Sequence, residues 1–254
     1  MSDMADLLAL DRLGHSFGGF AVLRSVTFSV PVGDIVGLIG PNGSGKTTLF
    51  NIVSGYIAHR HGSVLYGKRD LSGTSIQERS KAGMVRTFQT PKVFEQMTVI
   101  ENIMVGACKI TRSGMIEDLL RLPRSRSDLR HLRERAEEIC VKFDLADVRN
   151  QLSRTLPAGQ RRILEIARAV IGQPKLLMLD EPSSGLNADE IANLRRWIEL
   201  LNAEGTSILL VSHDMELMGV ADRVHVLYFG EIIASGDMGE IQRNAKVREV
   251  YLGT

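Results

Sequence analysis

The fold of this chain is decided by the stretch Gly40-Pro41-Asn42-Gly43-Ser44-Gly45-Lys46-Thr47-Thr48. The stretch matches the pattern G-x-x-x-x-G-K-[ST] in full, and it lies between the apolar run 35–39 and a helical pattern at 49–53. A strand, a glycine loop and a helix in this order form a phosphate-binding loop. Its glycines let the backbone fold closely around an anion, so that N–H groups and the helix N-terminus face the phosphates. The stretch therefore predicts a nucleoside triphosphate site in preference to a surface glycine turn.

Hydrophobic patterns around the loop predict an α/β fold. The alternating segments 7–30 and 64–67 are expected to form a small antiparallel sheet. Strand-length apolar runs alternate with helical patterns later in the chain, which predicts βαβ units and a largely parallel sheet. These strands are expected at 176–179, 208–211 and 224–228, and the helices at 161–171 and 188–203. The fold class is therefore α/β, with a phosphate loop, a mostly parallel sheet and an N-terminal antiparallel β subdomain.

The middle third of the chain differs from the rest. Residues 98–152 carry helical patterns and few β-branched runs, so we expect a helical subdomain inserted between strands of the core. The chain is then one ATPase domain, in which about 7–90 and 160–254 form the core and 91–159 the helical subdomain. A basic segment at 121–126 is interpreted as a solvated loop in preference to a contact with lipid headgroups or RNA.

Two side chains of the loop and an acidic pair later in the chain have predicted catalytic roles. Lys46 would bring a mobile positive charge to the phosphates, and the Thr47 hydroxyl would be a ligand of Mg²⁺. Asp180 and Glu181 follow a buried-strand pattern, which places them at the carboxyl edge of the sheet. There Asp180 can hold Mg²⁺, and Glu181 can act as general base on the attacking water. An acidic pair after a strand can also begin a solvated loop, and the phosphate loop favours the catalytic interpretation.

Composition limits the classes of protein to consider. The 254 residues include 44% hydrophobic and 24% charged residues, which is typical of a soluble globular protein. A net charge of +1 lacks the basic excess expected of a nucleic-acid binder. Cys108 and Cys140 have no metal-type spacing and are expected to be ordinary thiols in a reducing compartment. There is no apolar run of about 18 residues and no secretion signal, so a cytosolic location is expected, with docking onto a membrane protein still allowed.

A second anion site is predicted at a glycine-containing turn formed by Pro157, Ala158, Gly159 and Gln160. The turn precedes a helical pattern with its apolar residues on one face, so it presents a helix N-terminus. One chain cannot readily bring this turn and the phosphate loop to the same phosphate. Two chains arranged head to tail can, and the turn therefore predicts a dimer.

Together these motifs resemble those of the ATP-binding cassette (ABC) ATPases, and the resemblance covers essentially the whole chain. The motifs that carry it are the phosphate loop, Gln89, LPAGQRR at 156–162, LLMLDEP at 176–182, and Ser212-His213. The family implies the fold of a P-loop nucleoside triphosphatase with a RecA-like core and an inserted helical subdomain. It also implies ATP and Mg²⁺ as cofactors and a dimer that sandwiches two ATPs. Each ATP would lie between the phosphate loop of one copy and the signature turn, 157–160, of the other. Closing on ATP and opening after hydrolysis would drive a partner.

The resemblance also implies roles for individual residues. Phe17 would stack on adenine, although it could instead be a core or hairpin aromatic. Gln89 would reach Mg²⁺ and water and link the site to the helical subdomain. His213 would contact the γ-phosphate and organise Glu181, where a lone histidine after a strand is usually structural. The loop 183–187 occupies the position of an inter-subunit loop.

The signature turn departs from the commonest form, LSGGQ. Pro157 stands where a serine hydroxyl would contact the γ-phosphate, and it also lacks an N–H. Ala158 replaces a glycine, although its N–H remains, as does that of Gly159. The lost contact would cost on the order of 1 kcal/mol. We expect a working composite site with slower hydrolysis.

A closer resemblance links the chain to the ATPase subunits of bacterial branched-chain amino acid importers. It is carried by segments at 85–90, 93–102, 159–162, 184–187 and 250–253. It implies a dimer of identical chains or of two related ATPases, two permease subunits, an extracytoplasmic binding protein and no nucleic acid. It also implies a peripheral position on the cytoplasmic face of the bacterial inner membrane. Relatives that serve urea, short amides and small carboxylates leave the cargo open.

Three other functions stay open as alternatives. The energiser of a lipid or lipopolysaccharide export complex uses similar stand-alone cassettes. A DNA-repair or translation ATPase of the same superfamily is disfavoured, because the chain has neither a long coiled coil nor a second cassette. A nucleotide kinase or GTPase with a bare phosphate loop would leave the signature turn and His213 unexplained, and a clear preference for GTP would favour it.

Overall fold

The computed structural model describes residues 5–107 and 123–252, with side chains described for 5–107 and 127–251. Cys108 lies outside these residues, and the basic segment 121–126 enters them only through the backbone of its last four residues. The described residues form two compact units. The first takes in the described parts of Met1–Arg86, Lys175–Ser184 and Ile191–Thr254, and the second those of Thr87–Pro174 and Gly185–Glu190.

The described residues contain ten strands and nine α-helices. The strands are β1 (Asp6–Phe17), β2 (Phe20–Pro31), β3 (Ile35–Ile39), β4 (His61–Tyr66), β5 (Arg69–Asp70), β6 (Met84–Arg86), β7 (Leu176–Asp180), β8 (Ser207–Val211), β9 (Arg223–Tyr228) and β10 (Glu231–Gly236). The helices are α1 (Lys46–Val53), α2 (Ile76–Lys81), α3 (Val99–Val105), α4 (Pro123–Lys142), α5 (Ala158–Val170), α6 (Ala188–Ala203), α7 (Met215–Met218), α8 (Met238–Arg243) and α9 (Ala245–Leu252).

A six-stranded sheet organises the first unit, with the strand order β10-β9-β3-β8-β7-β6. Strands β9, β3, β8, β7 and β6 pair in parallel, and β10 pairs antiparallel with β9 at the edge. Every residue of β3, β7 and β8 is buried, as expected of strands covered on both faces. The predicted α/β class with a largely parallel sheet is confirmed. The ends of β3 and β7 consequently meet at one edge, which is where ligands bind in such sheets.

The second sheet of this unit is small and antiparallel, with the order β2-β1-β4-β5. It confirms the antiparallel subdomain that the sequence predicts. Apolar residues of β1 and β2, among them Leu8 and Val26, belong to one buried cluster with Leu49 and Phe50 of α1. The helix that follows the phosphate loop is therefore anchored in the core that both sheets share.

The second unit is helical over most of its described residues. Helix α3 packs against α4 and α5. It begins with a capping box in which Thr98 accepts from the Glu101 backbone and the Glu101 side chain accepts from Thr98. An isolated bridge pairs Thr98 with Leu152, which ties the start of α3 to the segment that leads into α5.

Candidate nucleotide site

The phosphate loop is a tight turn between β3 and α1 whose backbone requires glycine at two positions. Gly45 precedes α1 with φ of 109°, a conformation that favours glycine. A Cβ on Gly45 would lie 2.7 Å from Leu23 Cδ2 and 3.1 Å from the Val22 carbonyl oxygen of β2. A Cβ on Gly40 would lie 2.2 Å from the Leu227 carbonyl oxygen of β9. The motif glycines are therefore imposed by neighbouring strands as well as by any bound anion.

Lys46 opens α1, and its side chain folds back over the loop. Its Nζ donates hydrogen bonds to the carbonyl oxygens of Gly40 at 2.6 Å and Pro41 at 3.0 Å. Burial lowers the pKa of Lys46, and the carboxylates of Glu181 and Asp180 oppose that shift. The ammonium group is thus held at the mouth of the loop, close to both acids, where it can meet an anion.

Other polar groups of the loop also fit a phosphate ligand. Ser44 is 3% exposed, and its Oγ has no hydrogen-bond partner within the described residues. Leaving such a group unsatisfied costs about 1–3 kcal/mol, and a phosphate oxygen is a suitable acceptor for it. Asn42 and Gly43 are exposed at the tip of the loop, and Thr47 is exposed in the first turn of α1. The loop therefore combines backbone, ammonium and hydroxyl donors around one position.

The two predicted acids lie at the end of β7, at the same edge of the sheet. Asp180 is the last residue of β7 and pairs with Val211 of β8. The Glu181 N–H donates to the Val211 carbonyl oxygen at 2.8 Å. Glu181 has φ of 48°, which a residue other than glycine rarely adopts. Such strained conformations persist where the surrounding structure holds them and cluster at functional sites.

His213 lies next to Glu181, as the resemblance implies. His213 Nδ1 is 2.7 Å from Glu181 Oε2. The Glu181 side chain is 14% exposed and the His213 side chain 75% exposed, so the pair joins a largely buried carboxylate to an exposed imidazole. A hydrogen bond of 3.0 Å between the hydroxyl groups of Ser183 and Ser212 joins the two loops that carry the pair. The carboxylate is thereby oriented from both loops.

Arg86 is a site residue that the sequence interpretation missed. It is the last residue of β6, and its Nη2 lies 2.7 Å from Asp180 Oδ2, with both side chains buried. The sequence signal is weak: an arginine at the end of a short strand, 94 residues before its partner. Only the pairing of β6 with β7 brings the two side chains together.

Phe17, the predicted adenine contact, has an exposed ring. It ends β1, is 51% exposed and lies edge-on to the buried His15 ring at a centroid distance of 4.6 Å. His15 supports the inner side of the Phe17 ring and leaves its outer surface to solvent. Its exposure excludes a core position, and its pairing with Phe20 places it in the β1–β2 hairpin, so the adenine role stays a prediction beside the hairpin alternative.

Gln89 belongs to the second unit, where α5 holds its segment. Gln89 is exposed, and the carbonyl oxygens of Phe88 and Gln89 accept hydrogen bonds from the buried Arg162 guanidinium. The Glu165 carboxylate accepts from the backbone N–H groups of Phe88 at 3.3 Å and Lys92 at 3.2 Å. Burial raises the pKa of Glu165, and those two hydrogen bonds and Arg162 act against the shift. The roles of Arg162 and Glu165 were not predicted from the sequence, because their partners lie more than 70 residues away and such a pairing leaves no local sequence pattern.

The signature turn also lies in the second unit, at the start of α5. Pro157 is the N-cap of α5 and supplies no side-chain hydrogen bond. Pro157 and Ala158 are exposed, Gln160 is half-buried and Gly159 is buried. A Cβ on Gly159 would lie 2.1 Å from Glu190 Oε1. Pro157 therefore leaves the helix N-terminus without a side-chain cap of its own, and glycine is needed beside Glu190.

The C-terminal helix α9 adds a contact that sequence motifs alone did not place. Tyr251 lies close enough to Gly40, at the start of the phosphate loop, for that backbone to lower the pKa of the Tyr251 hydroxyl. Burial raises the pKa of Tyr251 to about 12, so its hydroxyl stays neutral at physiological pH. The end of the described chain thus contacts the first residue of the loop.

A doubly covered parallel sheet with a glycine loop after one strand, an Asp-Glu pair after another and a lysine between them defines a P-loop nucleoside triphosphatase. The ABC transporter family model matches residues 23–184, and a model described as branched-chain amino acid ATP-binding cassette transporter matches residues 231–254. The chain therefore belongs to the ABC transporter family, whose ATP-binding cassettes hydrolyse ATP to power transport.

Three similar proteins illustrate this membership. The high-affinity branched-chain amino acid transport ATP-binding protein LivG of Salmonella typhimurium is 40% identical over 97% of this chain and 98% of its own length. The lipopolysaccharide export system ATP-binding protein LptB of Acidithiobacillus ferridurans is 32% identical over 98% of both chains. The solved ADP conformation of MJ1267, an ATP-binding cassette of an ABC transporter, has a TM-score of 0.84 and 30% identity, covering 98% of this chain and 99% of that one. None of the described helices is long and apolar enough to cross a membrane.

Proposed function

We propose that this chain is the motor subunit of an ABC importer for branched-chain amino acids or a related small polar solute. The observation that carries the proposal is the similarity to LivG along 97% of the chain. The match of residues 231–254 to the branched-chain amino acid family model supports it independently, because that segment lies outside the common ATPase motifs. The permease, rather than this subunit, would contact the solute.

ATP would be bound by Phe17 and by the phosphate loop, Gly40, Pro41, Asn42, Gly43, Ser44, Gly45, Lys46, Thr47 and Thr48. Phe17 offers an exposed ring to adenine, and aromatic stacking tolerates water on the other side. Lys46 would exchange its bonds to the carbonyls of Gly40 and Pro41 for bonds to the phosphates. The unpartnered Ser44 hydroxyl supports this assignment, since a bound phosphate oxygen would satisfy it.

Mg²⁺ would be held by Thr47, Asp180 and Gln89. The residues fit this ion, because hydroxyl, carboxylate and amide oxygens are the donors that Mg²⁺ prefers. The buried position of Asp180 at the carboxyl edge of the sheet supports the assignment. When bound, the ion would neutralise charge that develops on the phosphates.

Hydrolysis would use Glu181 as general base, with His213 as its partner. The 2.7 Å contact between His213 Nδ1 and Glu181 Oε2 supports these roles. Glu181 would take a proton from the attacking water, and His213 would hold the carboxylate in place and contact the γ-phosphate. The strained backbone of Glu181, with φ of 48°, is consistent with a carboxylate that must point in one direction.

The working form would be a dimer in which the signature turn of one chain completes the site of the other. Pro157, Ala158, Gly159 and Gln160 would contact ATP in trans through backbone N–H groups and the helix dipole. The start of α5 supports this role, because its N-cap residue, Pro157, supplies no side-chain hydrogen bond to the helix. The 91–159 helical subdomain would couple the dimer to two permease subunits at the cytoplasmic face of a bacterial inner membrane, and an extracytoplasmic binding protein would deliver the solute.

An export function is the second candidate. It is favoured by the 32% identity with LptB over 98% of the chain. The same ATPase mechanism would then drive a lipopolysaccharide exporter. The partner subunits, rather than the ATPase site, distinguish the two candidates.

Co-purification from detergent-solubilised membranes tests the assignment. A tagged chain is expected to bring down two permease subunits, and the complex in proteoliposomes should hydrolyse ATP faster when a binding protein loaded with leucine is added. The Lys46→Ala variant should co-purify equally and show no stimulation. Recovery of lipopolysaccharide export subunits, with stimulation by lipopolysaccharide and not by leucine, would replace import by the second candidate.

A further inference from the structure

We propose that Arg86 is a positioning residue for ATP hydrolysis: its guanidinium orients the Asp180 carboxylate for Mg²⁺ and joins it to the helix that follows the phosphate loop. The inference rests on the proposed function of Asp180 as a magnesium ligand. It adds a residue that lies outside the motifs of the sequence interpretation.

The Nη2 nitrogen of Arg86 binds Asp180, the proposed metal ligand. Arg86 Nη2 lies 2.7 Å from Asp180 Oδ2, and the two side chains are 7% and 6% exposed. Burying a carboxylate is costly unless it is paired and hydrogen-bonded, and Arg86 supplies both forms of compensation. The parallel register of β6 and β7, in which Arg86 pairs with Met178, fixes the distance between the two backbones. The carboxylate is therefore held in one orientation.

The Nη1 nitrogen of Arg86 forms hydrogen bonds with α1 and with the residue that follows it. Arg86 Nη1 donates to Asn51 Oδ1 at 2.7 Å and to Ser54 Oγ at 3.0 Å. The guanidinium carbon also lies 5.4 Å from the centroid of the Phe50 ring, a cation–π contact. Because the guanidinium is planar and rigid, its two arms cannot move independently. A shift of α1 would consequently displace the Asp180 carboxylate.

This bridge connects the elements that carry two proposed magnesium ligands. Thr47 and Asn51 both lie on α1, four residues apart, and so occupy one face of the helix. Asp180 lies on β7. Mg²⁺ demands oxygen ligands in near-ideal octahedral geometry, so the relative placement of Thr47 and Asp180 matters for affinity. Residues that orient metal ligands typically contribute about 10–100-fold to metal affinity.

Metal binding, measured apart from ATP turnover, tests the proposal. The probe is Mn²⁺ with ADP, followed by electron paramagnetic resonance, and ADP alone in EDTA, followed by fluorescence of a labelled ADP. Arg86→Met should weaken Mn²⁺ binding in the ADP complex by about 10–100-fold and leave ADP affinity in EDTA unchanged. Arg86→Lys should fall between Arg86→Met and wild type, because it keeps a positive charge without the two-armed fork.

Two further variants serve as controls. Arg195→Met removes an arginine whose ion pair with Glu199 is exposed, and it should leave Mn²⁺ affinity at the wild-type value. Asn51→Ala removes one anchor of the guanidinium and keeps its ion pair with Asp180. It should weaken Mn²⁺ binding less than Arg86→Met does, and it keeps the test decisive where Arg86→Met fails to fold.

Three results would overturn the role of Arg86. Unchanged Mn²⁺ affinity would show that Asp180 needs no support, and increased affinity would show that the guanidinium competes with the metal. A loss of ADP affinity in EDTA equal to the loss of Mn²⁺ affinity in the ADP complex would show that Arg86 is a purely structural residue. Asp180→Asn separates this inference from the proposed function: if it binds Mn²⁺ and ADP as wild type does, the magnesium assignment fails first.

Discussion

Replacing Glu181 by glutamine is the most direct test of the proposed chemistry. The substitution keeps the size of the side chain and removes the carboxylate that lies 2.7 Å from His213 Nδ1. A positioned general base contributes about 10²–10⁴-fold to rate, which corresponds to about 2.7–5.4 kcal/mol at 1.36 kcal/mol for each factor of ten. Glutamine and glutamate pay the same backbone cost at a φ of 48°, so folding stability should change little. We expect a rate loss of that size with ATP affinity retained.

The assay is phosphate release at saturating ATP, run beside equilibrium binding of labelled ATP. Glu181→Gln should also accumulate an ATP-bound dimer on gel filtration, because closure persists when hydrolysis stops. Glu216→Gln is the matched control: Glu216 is exposed in the first turn of α7 and should leave all three measurements at wild-type values.

Two outcomes would refute this reasoning. A normal hydrolysis rate in Glu181→Gln would exclude Glu181 as the base. A rate loss matched by an equal loss of ATP affinity would show that the substitution disturbs the phosphate loop, since Glu181 acts electrostatically on Lys46. In that case the 2.7 Å contact with His213 would be structural.

The remaining predictions concern binding, the signature turn and pH. Lys46→Ala should weaken ATP binding and abolish hydrolysis, measured by fluorescence titration and phosphate release. Pro157→Ser should speed hydrolysis by up to about fivefold, if a hydrogen bond of about 1 kcal/mol is regained, whereas Gly159→Asp should abolish it by placing a carboxylate against Glu190. Burial lowers the pKa of His225 to about 4, while in the unfolded chain it is about 6.5. Because the unfolded chain then binds a proton that the folded chain does not, the free energy of unfolding should fall by about 3 kcal/mol between pH 6.5 and pH 4. Urea unfolding of the His225→Phe variant should not show this decrease.

The parts of the fold that could be predicted from the sequence have a strong local pattern of hydrophobic residues. Strands β3, β7 and β8 are buried along their whole length and appear as continuous apolar runs. The strands β6 and β10 were missed. Strand β6 has only three residues, and β10 is an edge strand with a mixed burial pattern and no clean alternation. Their positions depend on pairing with β7 and β9, which no window of sequence reports.

The candidate site divides in the same way. Glycines, Lys46 and the Asp-Glu pair were predictable because a strand and a turn fix them locally. Arg86 and Arg162 were not, because each acts on a partner far away in the chain, 94 residues for Arg86 and 73 for the Gln89 carbonyl bound by Arg162. Arginine is common on surfaces, and its burial becomes evident only when the packing is known.

Both ends of α1 have groups that complement charge, which supports the proposed binding of a triphosphate at this helix. At its C-terminus the buried Arg79 guanidinium donates to the carbonyl oxygens of Ile52 at 2.7 Å and Val53 at 2.8 Å, and also to Leu71 of the loop after β5 at 2.8 Å. The bond to Val53 satisfies a carbonyl at the helix end, the bond to Ile52 adds to the one that its carbonyl accepts from the Gly55 N–H, and both place a cation at the negative end of the dipole. At the N-terminus, which follows the phosphate loop directly, an anion would complement the positive end of the dipole. The helix is therefore stabilised at one end before nucleotide binds, and the free energy of phosphate binding need not be spent on ordering it.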